Sequence, residues 1–245
     1  TKGGWVRTLN VDGSVADPAE DAYDHACVLL ALAHAHKVGN ARALSLGEDT
    51  FAFLDDAMED RNMRGFLETS QGEGLRRSNP HMHLLEAFLA WYEVTGNRQY
   101  LRRAARIIDL FRSHFFDADS WTIGEYYDDD WKRASGEQGQ WTEPGHHFEW
   151  AALLADFAGK SGQKDLVGFA RKLYASAIAN GLNRATGLAY GAVSRDGIPL
   201  DRMSRSWPQT EAIKAAMALD DTGDPDLKPE IEARVGRLFR WHIDP

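Results

Sequence analysis

The sequence predicts an all-α fold, a toroid of helical hairpins of the (α/α)6-barrel type with short β-hairpin links. Three observations predict it. Apolar residues recur at helical spacing in eight stretches, at 18–38, 41–59, 79–95, 98–116, 146–160, 163–181, 206–220 and 227–243. These stretches pair off through short glycine turns. The first helix of each pair starts near 18, 79, 145 and 206, a repeat of about sixty residues.

Each element carries its own signals. The first pair opens with Asp21 and Asp24, acids that complement a helix N-terminus, and runs into the apolar stretch Ala26–Leu32. The next two pairs begin beside Pro80 and Pro144, where proline is tolerated in a first turn. The turns Val38-Gly39-Asn40, Thr95-Gly96-Asn97, Ser161-Gly162-Gln163 and Thr222-Gly223-Asp224 each put a glycine where a helix ends in a left-handed residue. First helices are the more apolar, as in Trp150–Leu154, and second helices the more charged, as in Arg98–Arg106 and Lys164–Lys172. An inner ring of buried helices and an outer solvated ring produce that contrast. Glycine- and aromatic-rich links separate the pairs, at Gly3–Gly13, Gly124–Tyr127 and Tyr190–Gly197; the Asp12-Gly13 and Asp196-Gly197 steps predict β-hairpins. With no Pro/Ser-rich linker, residues 1–245 are expected to form one domain, an incomplete barrel of four pairs where six close the ring.

Composition narrows the function. A chain of 245 residues with 43% hydrophobic content buries a large core. The net charge of -9 argues against nucleic acid and against an anionic membrane surface. The single cysteine, Cys27, allows no internal disulfide, and no apolar run approaches a membrane span or a signal peptide, so a cytoplasmic location is expected. Because the chain opens at Thr1, an original N-terminus is expected to have been lost.

The polar residues of interest gather at the heads of the first helices. Asn79-Pro-His-Met-His-Leu-Leu-Glu86 and Glu143-Pro-Gly-His-His-Phe-Glu-Trp150 echo one another, each setting a His three residues before a Glu. His83 with Glu86, and His146 with Glu149, therefore share a helical face. His81 and His147 point elsewhere by the same spacing. Tyr23, Asp24 and His25 head the first pair, and Trp207, Gln209 and Glu211 the fourth. Taken singly, Asp24 reads equally as a dipole-complementing acid and His25 as a packed histidine. Trp207 reads either as core or as a platform for a sugar ring. His83, His146, Glu86 and Glu149 have the donor types of a metal site, yet no His-Glu-X-X-His or i,i+4 His pair occurs, so no metal and no cofactor are expected. Phosphate loops, dinucleotide fingerprints and Gly-X-Ser-X-Gly elbows are absent. Histidines with orienting carboxylates suit proton transfer near neutral pH, for which the acidic C2–H of a sugar aldehyde is a natural substrate.

In these motifs, together with Asp24-His25 and Trp207-Pro-Gln-Thr-Glu211, the chain resembles the N-acylglucosamine 2-epimerase superfamily, in order and through nearly its whole length. The resemblance implies an (α/α)6 barrel and cofactor-free isomerisation or 2-epimerisation through a cis-enediolate. It implies His146 as general acid/base, Glu149 as its supporting carboxylate, and His83 as an aid to ring opening. It implies sugar-binding roles for Asn79 and His83 and an aromatic pocket wall in Trp207; Glu86, Tyr23, His25 and Glu211 are expected to bind substrate from their place at the helix heads. The Glu143–Trp150 form is nearer the mannose isomerase branch. Its partners would be a small-molecule sugar and, in an oligomer, a second copy as a homodimer. Family members are longer, with an N-terminal sugar-binding helix and a second catalytic His towards the C-terminus, so truncation at both ends is expected. Two other readings compete: an (α/α)6 glycoside hydrolase using Glu86, Glu149 or Asp24, which needs two carboxyl groups roughly 5–10 Å apart, and a non-catalytic carbohydrate- or protein-binding helical module.

Overall fold

The computed structural model describes residues 3–60, 65–72, 74–223 and 227–243. The chain divides into two compact units, Thr1–Phe115 with Tyr126–Ala134, and Phe116–Glu125 with Ser135–Pro245.

In the first unit, Thr8–Leu9 pairs antiparallel with Val15–Asp17 across the expected Asp12-Gly13 turn, where Asp12 Oδ1 accepts the Ser14 N–H at 2.9 Å. Helix α1 spans Ala22–Lys37. It starts later than the apolar pattern suggests because Asp21 is extended and caps it, Oδ1 accepting the Asp24 N–H at 2.8 Å. Such a cap contributes about 1 kcal/mol. Arg7 Nη2 donates to the other oxygen at 2.7 Å and ties the hairpin to the helix head. Helix α2 (Ala43–Phe53) continues into a π-helical turn, Leu54–Met58. Glu59–Asp60 pairs with Gly65–Phe66. Helix α3 (Ser78–Thr95) packs against α1, with Trp91 Nε1 donating to the Leu29 carbonyl at 2.9 Å. Helix α4 (Arg98–Leu110) is capped by Asn97 and also ends in a π-helical turn, Phe111–Phe115. The core gathers Leu29, Leu54, Met58, Phe88, Trp91, Phe111 and Phe115. The Tyr126–Tyr127 link turns back on itself, with an antiparallel bridge between Tyr127 and Arg133 and the Ala134 N–H donating to the Tyr126 carbonyl at 2.9 Å. It pairs with Arg76–Arg77, a partner about fifty residues away that periodicity does not reveal.

The second unit opens with a hairpin of Phe116–Asp117 and Thr122–Ile123. A short helix that the apolar pattern does not foreshadow, α5 (Gly136–Gln140), precedes α6 (Pro144–Ser161). Helix α6 packs on both α7 (Leu166–Asn180) and α8 (Ser206–Asp220), which explains why it is apolar nearly all round. Ala192–Val193 and Pro199–Asp201 form the hairpin expected at Asp196-Gly197, and Thr142 and Val193 exchange backbone hydrogen bonds at 3.0 and 2.9 Å. Helix α9 (Lys228–Leu238) lies on α8 and continues into a third π-helical turn, Phe239–Ile243. The turn glycines Gly39, Gly96, Gly162 and Gly223 have φ of +87°, +67°, +81° and +80°, as a left-handed helix exit requires. The last expected turn ends on Asp224, which lies outside the described residues.

One device recurs at the heads of α1, α3, α6 and α8. The fourth helical residue, His25, His81, His147 or Gln209, accepts a backbone N–H from the link before it. The donors are Trp5 at 3.1 Å, Phe66 at 2.9 Å, Ile123 at 3.0 Å and Ala189 at 3.1 Å. The same side chain can also donate one turn back: His25 Nδ1 to Asp21 O at 2.6 Å, His81 Nδ1 to Arg77 O at 2.9 Å and Gln209 Nε2 to Arg205 O at 3.1 Å. With Nε2 accepting, His25 and His81 are neutral and carry their proton on Nδ1. Gly65 permits the close approach at α3: a Cβ there would sit 2.6 Å from Trp131 Cζ2 and 3.0 Å from His81 Nε2.

Burial holds the His81 pKa down to about 4, against the donation to Arg77 that favours the proton. The unfolded chain takes up that proton below about 6.5 while the folded chain refuses it. The stability is therefore complete above pH 6.5 and declines as the pH falls to about 4, by on the order of 3 kcal/mol for this group. His81→Gln keeps an acceptor and a donor without titrating, so urea unfolding at pH 7 and pH 4.5 should show a shallower pH dependence than the wild type. An unchanged slope would contradict the assignment.

Candidate active site

The head of α6 is assembled from Glu143-Pro-Gly-His146. Glu143 is extended and sits at the N-cap, Pro144 fixes the first turn, and the Gly145 backbone lies against the Trp207 ring. A Cβ on Gly145 would fall 2.4 Å from Trp207 Cη2, so only glycine lets Trp207 lie over this turn. The indole of Trp207 lies beside the His146 imidazole, ring centroids 5.3 Å apart and planes 36° apart.

His146 is buried between two carboxylates. Glu125 Oε1 lies 3.0 Å from Nδ1, and Glu143 Oε2 lies 3.8 Å from Nε2. Burial opposes charge on the ring, but the attraction of Glu125, then of Glu143 and Glu149, outweighs it and pushes the pKa up to about 9. At neutral pH the group is an imidazolium. The Glu143 carboxyl is held above its ordinary pKa by burial and by Glu125, against the opposing pull of His146, the Trp141 indole N–H at 3.2 Å and Arg205. Donor atoms of Glu125, Glu143 and His146 lie within 4.8 Å of one another. The ring's own proton already supplies a positive charge between the two carboxylates.

The geometry therefore redistributes the expected roles in this unit. Glu149 is buried one turn after His146 and raises its pKa, as the shared helical face predicts, yet Glu125 stands against Nδ1. Glu211 lies one turn after Trp207 on α8 and pairs with Lys214 at 2.8 Å. Glu125 and Glu143 were not singled out by spacing. Glu125 sits in a link without period; Glu143 was visible as the residue before Pro144, but only structure turns its side chain on to the ring.

In the other unit, α1 and α3 bring Tyr23, His83 and Glu86 together. Tyr23 meets His83 edge to face at 4.9 Å, and His83 Nδ1 lies 3.4 Å from Glu86 Oε2. Asn79 is one turn before His83, and its buried Oδ1 accepts no hydrogen bond among the described residues. Cys27 is exposed despite its apolar neighbours, and partial desolvation of its sulfur raises the thiol pKa against the opposing effect of the Tyr23 hydroxyl. Asp24 is pushed up by burial and by Asp21. His25 is set apart from the others: it is fully buried with both ring nitrogens bonded to backbone, so a sugar would find neither nitrogen available.

Paired helices with polar first-helix heads define the (α/α) toroid class. A crystal structure of D-mannose isomerase superposes with a TM-score of 0.85 at 22% identity, covering 97% of this chain and 64% of that one. The family model for N-acylglucosamine 2-epimerase (GlcNAc 2-epimerase) matches residues 1–245, and the chain belongs to that family. It is 35% identical over 220 residues to a mannose-6-phosphate isomerase of Rhizobium meliloti (strain 1021), covering 88% of this chain and 57% of the relative. It is 32% identical over 240 residues to a D-mannose isomerase of Thermobifida fusca, covering 90% and 59%. The chain thus spans well under two thirds of the length of these curated relatives. Among the described residues, no helix is long and apolar enough to cross a membrane.

Two outcomes follow for the α6 head. In NMR titrations the His146 ring should titrate near 9, and Glu125→Gln should lower that value by about one unit or more, since the nearest opposing charge is gone. Gly145→Ala should cost about 1–3 kcal/mol in thermal unfolding and shift the Trp207 fluorescence, because the new methyl overlaps the ring.

Proposed function

We propose that the protein is a cofactor-independent sugar isomerase or 2-epimerase that acts on mannose-like aldoses by moving the C2 proton. The observation that carries this reading is the buried His146 held between Glu125 and Glu143 at a helix N-terminus. Such a ring exchanges protons with carbon, and the positive helix end favours the negative charge that develops as C2–H is removed.

In its neutral form His146 takes the C2 proton of the open-chain aldose and leaves a cis-enediolate. Return of that proton to C1, with transfer of the O2 proton to O1, gives the ketose; return to the opposite face of C2 gives the epimer. One base on one face of the enediolate suffices for the first outcome. Glu125 orients the ring and stabilises its charged form, while Glu143 borders the second nitrogen. Trp207 supplies a flat apolar face for the sugar. Asn79, His83, Glu86 and Tyr23 offer a buried amide oxygen, an imidazole, a carboxylate and a phenol suited to sugar hydroxyls, with His83 aiding ring opening. Glu149 supports the charge on His146, and Glu211 borders Trp207 on α8.

His146→Ala should abolish exchange of the C2 proton of D-mannose in heavy water, followed by proton NMR; retained exchange would overturn the assignment. Because the base must be neutral, kcat/KM should rise about tenfold per pH unit on approach to pH 9 and then level off. A profile that breaks near 6.5 would place the base elsewhere.

A further inference from the structure

We infer that His147, the neighbour of the proton-transfer histidine, is a positioning residue that sets the Glu125–His146 pair by clamping the link that carries Glu125. The inference rests on the proton-transfer reading of His146 given above.

The geometry runs through three contacts in one unit. His147 is 2% exposed, and its Nε2 accepts the Ile123 N–H at 3.0 Å. Ile123 is the last strand residue of the Phe116–Ile123 hairpin, paired with Phe116 at its open end, and only Gly124 separates it from Glu125. Glu125 Oε1 in turn lies 3.0 Å from His146 Nδ1. Helix α6 thus holds both ends of the same short path: His146 presents the ring, and His147, the next residue, fixes the strand from which the opposing carboxylate projects.

The comparison within the chain sharpens the role. Gln209, at the same place on α8, holds the Ala189 N–H by its amide oxygen at 3.1 Å. The task therefore calls for a buried acceptor of that reach rather than for an imidazole. His147 is no proton donor or acceptor to sugar in this account; its ring nitrogen is engaged by the backbone.

His147→Gln and His147→Leu separate this role from a merely packed side chain. Both variants and the wild type are followed by the NMR titration of the His146 ring and by C2 proton exchange of D-mannose. His147→Gln should keep the His146 titration near 9 and hold kcat within about threefold of wild type, whereas His147→Leu should lower kcat on the order of 100-fold with KM little changed, as a displacement of about 1 Å at a reacting centre does. In His147→Leu the His146 titration should fall towards the ordinary histidine range, because Glu125 no longer faces it. The other charges that act on His146, from Glu143 and Glu149, stay in place, as does Arg205, which acts on Glu143. Wild-type titration and kcat in His147→Leu would overturn the inference, as would a His147→Gln protein impaired as badly as His147→Leu. If His147→Leu does not fold, His147→Gln decides alone: a retained His146 titration supports the clamp and a lost one refutes it. A wild-type protein that exchanges no C2 proton overturns the proposed function, while the His146 titration still decides the role of His147.

Discussion

The hydrogen bond from a link N–H to the fourth residue of each first helix is the interaction on which the rest of this structure depends. A helix head packed against a link faces a polar accounting problem, because each backbone N–H that turns towards the helix needs an acceptor there. His25, His81, His147 and Gln209 solve it with the same acceptor at the same place. Each bond closes a loop of fifteen to twenty-four residues, so a link becomes a fixed part of its helix head rather than a free connection. Losing one partner leaves a buried N–H unsatisfied, a cost of about 1–3 kcal/mol. The acceptor is also what keeps His25 and His81 neutral and chemically quiet.

That fixed frame permits an unfavourable arrangement at the α6 head. Two carboxylates and an imidazole crowd together where desolvation works against the charges of His146 and Glu143. The proton on His146 makes the set tolerable, and the helix N-terminus adds its own positive end beside Glu143. Gly145 and Trp207 then bring a flat indole to the same ring. Adjacent histidines thus divide the labour: His146 is charged and faces carboxylates, while His147 faces backbone.

Much of the architecture was legible because it is local. Helical periodicity and turn glycines mark the helix pairs, and the Asp-Gly steps mark two hairpins. The ends of the second helices near 59, 116 and 243 were also legible, although the last turn of each is π-helical. What stayed hidden is what the chain makes at a distance. Arg76–Arg77 with Tyr126–Tyr127 is a pairing without a local signal, and Glu125 reaches His146 from a link that has no period. The i,i+3 rule pairs His146 rather than His147 with Glu149, yet spacing alone carries no information on which carboxylate stands against a ring nitrogen, and that carboxylate is Glu125. His25 shows the same limit from the other side. Its position beside Asp24 looks chemical in sequence, and only the Trp5 N–H reveals it as a clamp.

The most direct measurement of this account is the detection of couplings across the hydrogen bonds between backbone and imidazole nitrogens in uniformly 15N-labelled protein. The account predicts correlations from the amide nitrogens of Trp5, Phe66 and Ile123 to the Nε2 atoms of His25, His81 and His147, with the His25 and His81 rings protonated at Nδ1. Imidazoles protonated at Nε2, with no coupling to those three amides, would contradict it.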